Sequence, residues 1–155
     1  MKPNTFDFMK LETHETKDID GKNINGELTV VWRDWDNIIN EPKMIYITDV
    51  EPGKIKGPHL HKKRTSYFLC IKGKIAFVIK DVDGKYKEII SSENEPVLIQ
   101  VPKNMASGHI NISAEKSSVL VLADIAWKPN DNEMLNINFD NYDWGKWKTK
   151  SSFDS

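Results

Sequence analysis

Apolar residues along this chain fall in short runs, not in helical stripes. The candidate strands are ELTVVWRDW (27–35), KMIYITDV (43–50), SYFLCIKG (66–73), KIAFVIKDV (74–82), KYKEII (85–90), EPVLIQVP (95–102), ASGHINIS (106–113) and SVLVLADIAW (118–127). They are rich in β-branched and aromatic residues and are separated by Gly, Pro, Asn and Asp. No window of helical length repeats apolar positions at i, i+3 and i+4. Asp83-Gly84, where both residues tolerate positive φ, predicts a type I′ hairpin, and Gly73 opens another tight turn. Regularly spaced strands without helices predict an all-β sandwich or barrel. The final stretch, EMLNINFDNYDWGKWKTKSSFDS, is aromatic-rich and then polar. It reads as a segment packed on the barrel, followed by a loose tail at 148–155.

Composition narrows this picture. A chain of 155 residues is most simply one domain spanning 1–155, large enough to bury a core without staples. Its 22 basic and 23 acidic side chains leave a net charge of −1, so no global field favours nucleic acid or anionic lipid. The single cysteine, Cys70, forms no internal disulfide, which fits a reducing compartment. The N-terminal MKPNTFDFMK lacks the apolar centre of a signal peptide, and the longest apolar stretch, VLVLADIAW, is short and carries Asp124. The expectation is a cytoplasmic domain with neither a membrane nor a nucleic-acid partner.

The chemistry concentrates in GPHLHKKR, residues 57–64. In an extended segment alternate side chains share a face, so His59 and His61 point together while Leu60 points away. The same rule sets Ser107 and His109 on one face of a later strand. If both strands line one interior, three imidazoles converge there. The bland alternative for the pair is two solvated polar residues on an edge strand, and for Lys62, Lys63 and Arg64 a solvated charged turn. His14 in LETHETKD reads as surface, and Cys70 as a small buried residue.

Several segments resemble a known family. Gly53-x5-His59-x-His61 with Gly73, and later Pro102-x-Asn104 with Asn111, resemble the two motifs of the cupins, small jelly-roll β-barrels (double-stranded β-helices). The glutamate and second-motif histidine that complete a cupin metal centre fall on Ser66 and Ser107, and serine is a poor ligand beside imidazole. The segments VVWRDW, MIYITDVEPGKIKGPHLHKK, VLIQVPKNMASGHINIS, DIAWKPNDNE and FDNYDW are similar, in order from about Gly26 to Trp144, to sugar-nucleotide epimerases of the dTDP-4-dehydrorhamnose 3,5-epimerase type. The His-x-His-Lys pattern is similar to the related 3,4-ketoisomerases.

The resemblance implies an isomerase of a nucleoside-diphosphate 4-keto-6-deoxy sugar in deoxysugar and cell-surface polysaccharide biosynthesis. It implies histidine-mediated enolisation with no metal or other cofactor, in a homodimer whose N-terminal strands pair with the neighbouring subunit. By position His59 matches the base and Asp140 falls near the acid that orients it. His61 matches the second histidine of the ketoisomerase pattern, and Lys56 stands where the family has a substrate-contacting arginine. Arg64, with Lys62 and Lys63, becomes a candidate for the diphosphate, and His109 and Asn111 join the substrate-binding set. The epimerase tyrosine that protonates the opposite face has no counterpart near Val121, which leaves a same-face proton transfer, as in 3,4-ketoisomerisation, or a single epimerisation with Tyr46 or Tyr67 as donor. Trp127 and Tyr142 are candidates to flank a nucleotide. Two other classes remain open: a sugar-binding cupin without turnover, and a metal-dependent cupin enzyme.

Overall fold

The structure is a computed structural model and describes residues 1–36 and 41–148. It contains β1 (Asp7–Lys10), β2 (Thr13–Lys17), β3 (Ile24–Thr29), β4 (Met44–Val50), β5 (Ile55–His61), β6 (Ser66–Lys72), β7 (Lys74–Lys80), β8 (Tyr86–Ser92), β9 (Val97–Val101), β10 (Ala106–Asn111), β11 (Ser117–Ala123) and β12 (Met134–Asn136). A single 3-10 turn follows at Trp144–Trp147. Among the described residues no helix is long and apolar enough to cross a membrane.

Two antiparallel five-stranded sheets, ordered β1-β9-β6-β11-β4 and β12-β5-β10-β7-β8, enclose the core. The eight strands β4 to β11 pass between them so that β4-β11-β6-β9 faces β5-β10-β7-β8. That order makes the fold a jelly roll, the expected all-β class. The interior cluster takes Cys70 from β6, Ile75, Phe77 and Ile79 from β7, Val97 and Ile99 from β9, and Val119 and Val121 from β11. These residues alternate along their strands, as side chains of a sheet with one inward face must. Alternation sends Tyr67 and Leu69 to the outer face, where with Leu98 and Leu122 they form a second cluster under Met1, Met9, Leu11, Val31 and Trp32. Phe139, Tyr142 and Trp144 pack near Val78 and Ala106, so the aromatic segment after β12 lies on the sheet as expected. The tail expected at 148–155 lies, from residue 149 onward, outside the described residues.

Several boundaries differ from the apolar pattern. The run at 27–35 is a strand only to Thr29, and β3 pairs with β2 in a separate, solvent-exposed hairpin. Its ladder is made by the backbone, so polar sequences such as THETK and INGELT carry no burial signature. β1 adds a strand beside β9, extending the ordered sheet toward the N-terminus beyond residue 26. The β7–β8 turn is wider than a type I′ hairpin. Gly84 takes φ +80° but Asp83 stays at negative φ, and Gly84 N–H donates to Asp81 O at 2.9 Å. Gly73, at φ +78°, makes the expected tight turn, with no room for a Cβ beside the Ser117 hydroxyl.

Candidate active site

The strand that carries the histidines forms although Gly57-Pro58 interrupts its sequence. On one side β10 pairs with β7 without interruption, whereas against β5 its register jumps from Ser107–His59 to His109–Lys56. Two residues, Gly57 and Pro58, therefore stand opposite Gly108 in a β-bulge. The two backbones approach closely there. A Cβ on Gly57 would meet Ser107 O at 3.0 Å, and one on Gly108 would meet Lys56 O at 3.0 Å. Proline fits because a bulge leaves a ladder donor position vacant. After it β5 resumes, and β12 pairs with it in the register Met134–His61 and Asn136–His59.

His59, His61 and His109 line one cavity of about 300 Å3 between the sheets. Its floor is apolar, with Phe68 and Phe77 at 4.7 Å between ring centroids and the His109 ring stacked on Phe77 at 5.7 Å. Tyr46 and Thr48 from β4 face it across the interior, and Arg64, Lys56 and Met134 complete most of its wall.

The two β5 imidazoles are held differently. His61 Nδ1 lies 2.7 Å from Glu133 Oε2. A carboxylate only accepts, so Nδ1 carries the hydrogen and Nε2 is left for a ligand. The other carboxylate oxygen, Oε1, accepts the backbone N–H groups of Arg64 at 3.0 Å and Lys63 at 3.3 Å. Burial alone would raise the Glu133 carboxyl, but the hydrogen bonds from His61, Lys63 and Arg64 outweigh it and hold it below the ordinary carboxylate range. Backbone contacts fix the corner further: Asn104 N–H donates to His61 O at 2.7 Å and Lys62 N–H to Glu133 O at 2.9 Å. His59 Nδ1 instead donates to the neutral Asn136 Oδ1 at 3.0 Å. Burial lowers its basicity, the Asn136 contact partly opposes that, and neighbouring His61 adds to it.

His109 is deeply buried, its Nε2 has no partner among the described residues, and burial with nearby Lys56 and His59 pushes it down to about 4. At neutral pH it is an uncharged imidazole. Arg64, only 6% exposed, has no hydrogen-bond partner for its Nε among the described residues, and its guanidinium lines the same cavity as Tyr46. Burial raises the Tyr46 hydroxyl above its usual range, with Arg64 opposing, so Tyr46 keeps its proton.

Of the residues the sequence singles out, the structure gathers His59, His61, His109, Tyr46, Lys56 and Arg64 around one cavity. It does not bring the others there. Asp140 is exposed, and the positions it was expected to hold beside an imidazole belong to Glu133 and Asn136. Tyr67 points out of the opposite face of β6, one residue out of phase with cavity-lining Phe68. Asn111 is a buried clamp. Its amide donates to Val50 O and Glu115 O, and its oxygen accepts from Ser113 and Ser117. Lys62 and Lys63 are exposed on the turn, Tyr142 sits in the C-terminal aromatic cluster, and neither it nor exposed Trp127 lines the cavity.

Glu133 was within reach of the sequence, since it closes the Trp-x-Pro-x-Asp-x-Glu segment. Asn136 gives no such signal, because only its pairing with His59 reveals it. With Ser66 and Ser107 at the cupin ligand positions, the described residues contain no cluster of three or more His, Cys, Asp or Glu side chains arranged to hold a metal ion.

Comparison with known proteins places these features in a wider group. The family model described as FdtA, WxcM-like, C-terminal matches residues 9–142. The chain is 28% identical over 103 residues to a probable low-salt glycan biosynthesis epimerase, Agl13, of Haloferax volcanii. That match covers 61% of this chain and 66% of the epimerase's length, just under two thirds. Among solved structures, a dTDP sugar isomerase from Desulfovibrio desulfuricans G20 superposes with a TM-score of 0.78 at 16% identity, over 90% of both chains. A 3,4-ketoisomerase from Helicobacter canadensis superposes with a TM-score of 0.68 at 23% identity, covering 87% of this chain and 92% of its own. These superpositions establish a shared fold.

Proposed function

Because the chain belongs to the FdtA, WxcM-like, C-terminal family, we propose that it is an isomerase of a nucleoside-diphosphate 4-keto-6-deoxy sugar. Its similarity to proteins named as a dTDP sugar isomerase, a 3,4-ketoisomerase and a glycan-biosynthesis epimerase supports that class. The observation that carries the reading is the His61–Glu133 pair at 2.7 Å, set beside a neutral histidine in a cavity with an aromatic floor. A hydrogen next to a ketone is acidic enough for a well-placed imidazole to remove.

In the proposed sequence His61 Nε2 takes the proton from C3 of the bound 4-keto sugar. The C–H electron pair forms a carbon–carbon double bond, and the carbonyl pair moves onto O4. Glu133 balances the imidazolium that results and holds its tautomer. His59 passes the O3 hydroxyl proton toward O4, a relay suited to an imidazole anchored by a neutral amide. Return of the first proton to C4 then leaves the ketone at C3. One imidazole serves both carbons because it acts on one face. Val121, in the neighbourhood where the resemblance sets the epimerases' opposite-face tyrosine, is a fully buried core residue, which favours this same-face transfer. Epimerisation is the second reading. It is favoured by Tyr46, which pairs with Val121 across the β4–β11 ladder, lines the cavity from the other sheet and keeps its proton.

Incubation with dTDP-4-keto-6-deoxyglucose in deuterated water tests the class. Solvent deuterium in the sugar ring is expected, with a 3-keto product for ketoisomerisation or an inverted centre for epimerisation, both resolved by NMR. Absence of label across several 4-keto-6-deoxy sugar nucleotides overturns the proposal.

A further inference from the structure

The cavity holds a cation for which the enolisation scheme has so far found no use. Arg64 is 6% exposed, and no carboxylate among the described residues lies within ion-pair distance of its guanidinium. Among the described residues its Nε has no hydrogen-bond partner. A buried charge without a counter-charge is costly, so its retention calls for an anionic partner in the cavity. The position of that cation is set by the same group that orients His61. Glu133 Oε1 accepts the Arg64 backbone N–H at 3.0 Å while Oε2 holds His61 at 2.7 Å.

The cavity meets two anions if it turns over a nucleotide sugar: the diphosphate, and the oxygen that gains charge as the ketone enolises. The diphosphate is permanently charged and strongly hydrated, so it belongs at the open rim. Lys56 is the cation there; it is exposed, lines the cavity, and rests its Nζ 3.0 Å from Thr48 Oγ1. The enolate oxygen arises only at the reacting carbon, beside the imidazoles and away from water. Arg64 is the buried cation on that wall, and Tyr46, which lines the same cavity, is a second donor that retains its proton.

Resting on the isomerase reading above, we propose that Arg64 and Tyr46 together bind the oxygen that becomes negative when the keto sugar enolises, making Arg64 a catalytic residue and not the holder of the diphosphate. The guanidinium donates N–H bonds to the oxygen as the carbonyl electron pair moves onto it, and Tyr46 donates its O–H. No bond of either protein group breaks. Such donors act on charge that exists only in the transition state, so they change the rate of the chemical step more than the binding of the ground state.

Steady-state kinetics of Arg64→Gln, Arg64→Lys and Tyr46→Phe on the wild-type enzyme's labelled keto sugar test this, with inhibition by dTDP alone as the measure of diphosphate binding. Arg64→Gln is expected to lower kcat about 10²- to 10³-fold, with KM and the dTDP inhibition constant within about threefold. Tyr46→Phe removes only a hydroxyl, tests the clamp even if Arg64→Gln fails to fold, and is expected to lower kcat by about tenfold. Arg64→Lys should fall between wild type and Gln. A rise in KM and in the dTDP constant with kcat retained would place Arg64 on the diphosphate and overturn the proposal. Unchanged kcat in both Arg64→Gln and Tyr46→Phe would also overturn it, leaving the isomerase reading intact. Loss of all exchange in the wild type overturns both.

Discussion

Glu133 does two jobs with two oxygens, and that division predicts how the site fails. Oε2 accepts from His61 Nδ1, and Oε1 accepts from two backbone N–H groups. In Glu133→Gln one oxygen becomes an amide that only donates. If the remaining oxygen keeps the backbone contacts, the amide faces His61 Nδ1 and forces that nitrogen to accept, so the hydrogen moves to Nε2. The lone pair that would take the substrate proton is then lost, although the shape of the site is preserved. The expected outcome is a fall in kcat on the order of 10³- to 10⁴-fold, the upper figure being that for amide replacement of the orienting acid in a serine-protease triad. Asn136→Asp, which adds charge beside His59 without touching the pair, should cost much less. Stopped-time assays of ring deuteration measure both, and equal losses would sink the assignment of His61 as base. The sequence placed both imidazoles on one face because strand alternation is local. Their orienting partners lie more than seventy residues away, and only the β5–β12 pairing brings them in. Glu133, and not Asp140, meets an imidazole for that reason: nearness in a motif does not fix which strand a carboxylate joins.

The bulge between β5 and β10 is the element that aims the site. Without it, Lys56 would shift by one place and point to the opposite face of the sheet from the one it now occupies. Gly57 makes it possible, at φ +82° and with a backbone oxygen 3.0 Å from any added Cβ. Gly57→Ala should therefore cost about 2 kcal/mol from the positive φ alone, plus displacement of the Ser107 carbonyl. Urea unfolding reads the stability, and KM for the nucleotide sugar reads the displacement of Lys56. A variant as stable as the parent, with unchanged KM, would show that the bulge does not govern the site. This element was hidden in the sequence because Gly-Pro is the signature of a loop, and a strand that carries it must be rescued by neighbours on both sides. The core strands were legible for the converse reason: KIAFVIK and VLIQV are apolar enough to need burial on both faces, wherever they pair. β2 and β3 bury almost nothing, so hydrophobic patterning passed over them.

At the scale of the molecule the outer face of the β1-β9-β6-β11-β4 sheet is unevenly covered. The N-terminal segment lies over Tyr67, Leu69, Leu98 and Leu122, but β4 at the sheet's edge leaves Ile45 59% and Ile47 60% exposed. Among the described residues β4 pairs only with β11, so its outer backbone groups are open to another strand. A groove of about 410 Å3 beside it is lined by Leu28, Val31, Trp32, Ile45, Leu120 and Leu122. An apolar edge strand is a liability unless another surface covers it, and a second copy of the same chain meets it symmetrically, β4 against β4 about a two-fold axis. The homodimer expected from the sequence is accordingly proposed to form on this face, continuing the sheet from one subunit into the next. Sedimentation should give twice the chain mass, and Ile45→Lys with Ile47→Lys should shift it to the monomer. Because both substituted positions face away from the catalytic cavity, dTDP binding to the monomer would survive if each subunit holds a whole site. Its loss together with the dimer would mean that the two cavities are completed across the interface. An unaltered dimer in the double variant would remove β4 as the contact and move the search to the β2–β3 hairpin, where Ile24 and Leu28 are also exposed.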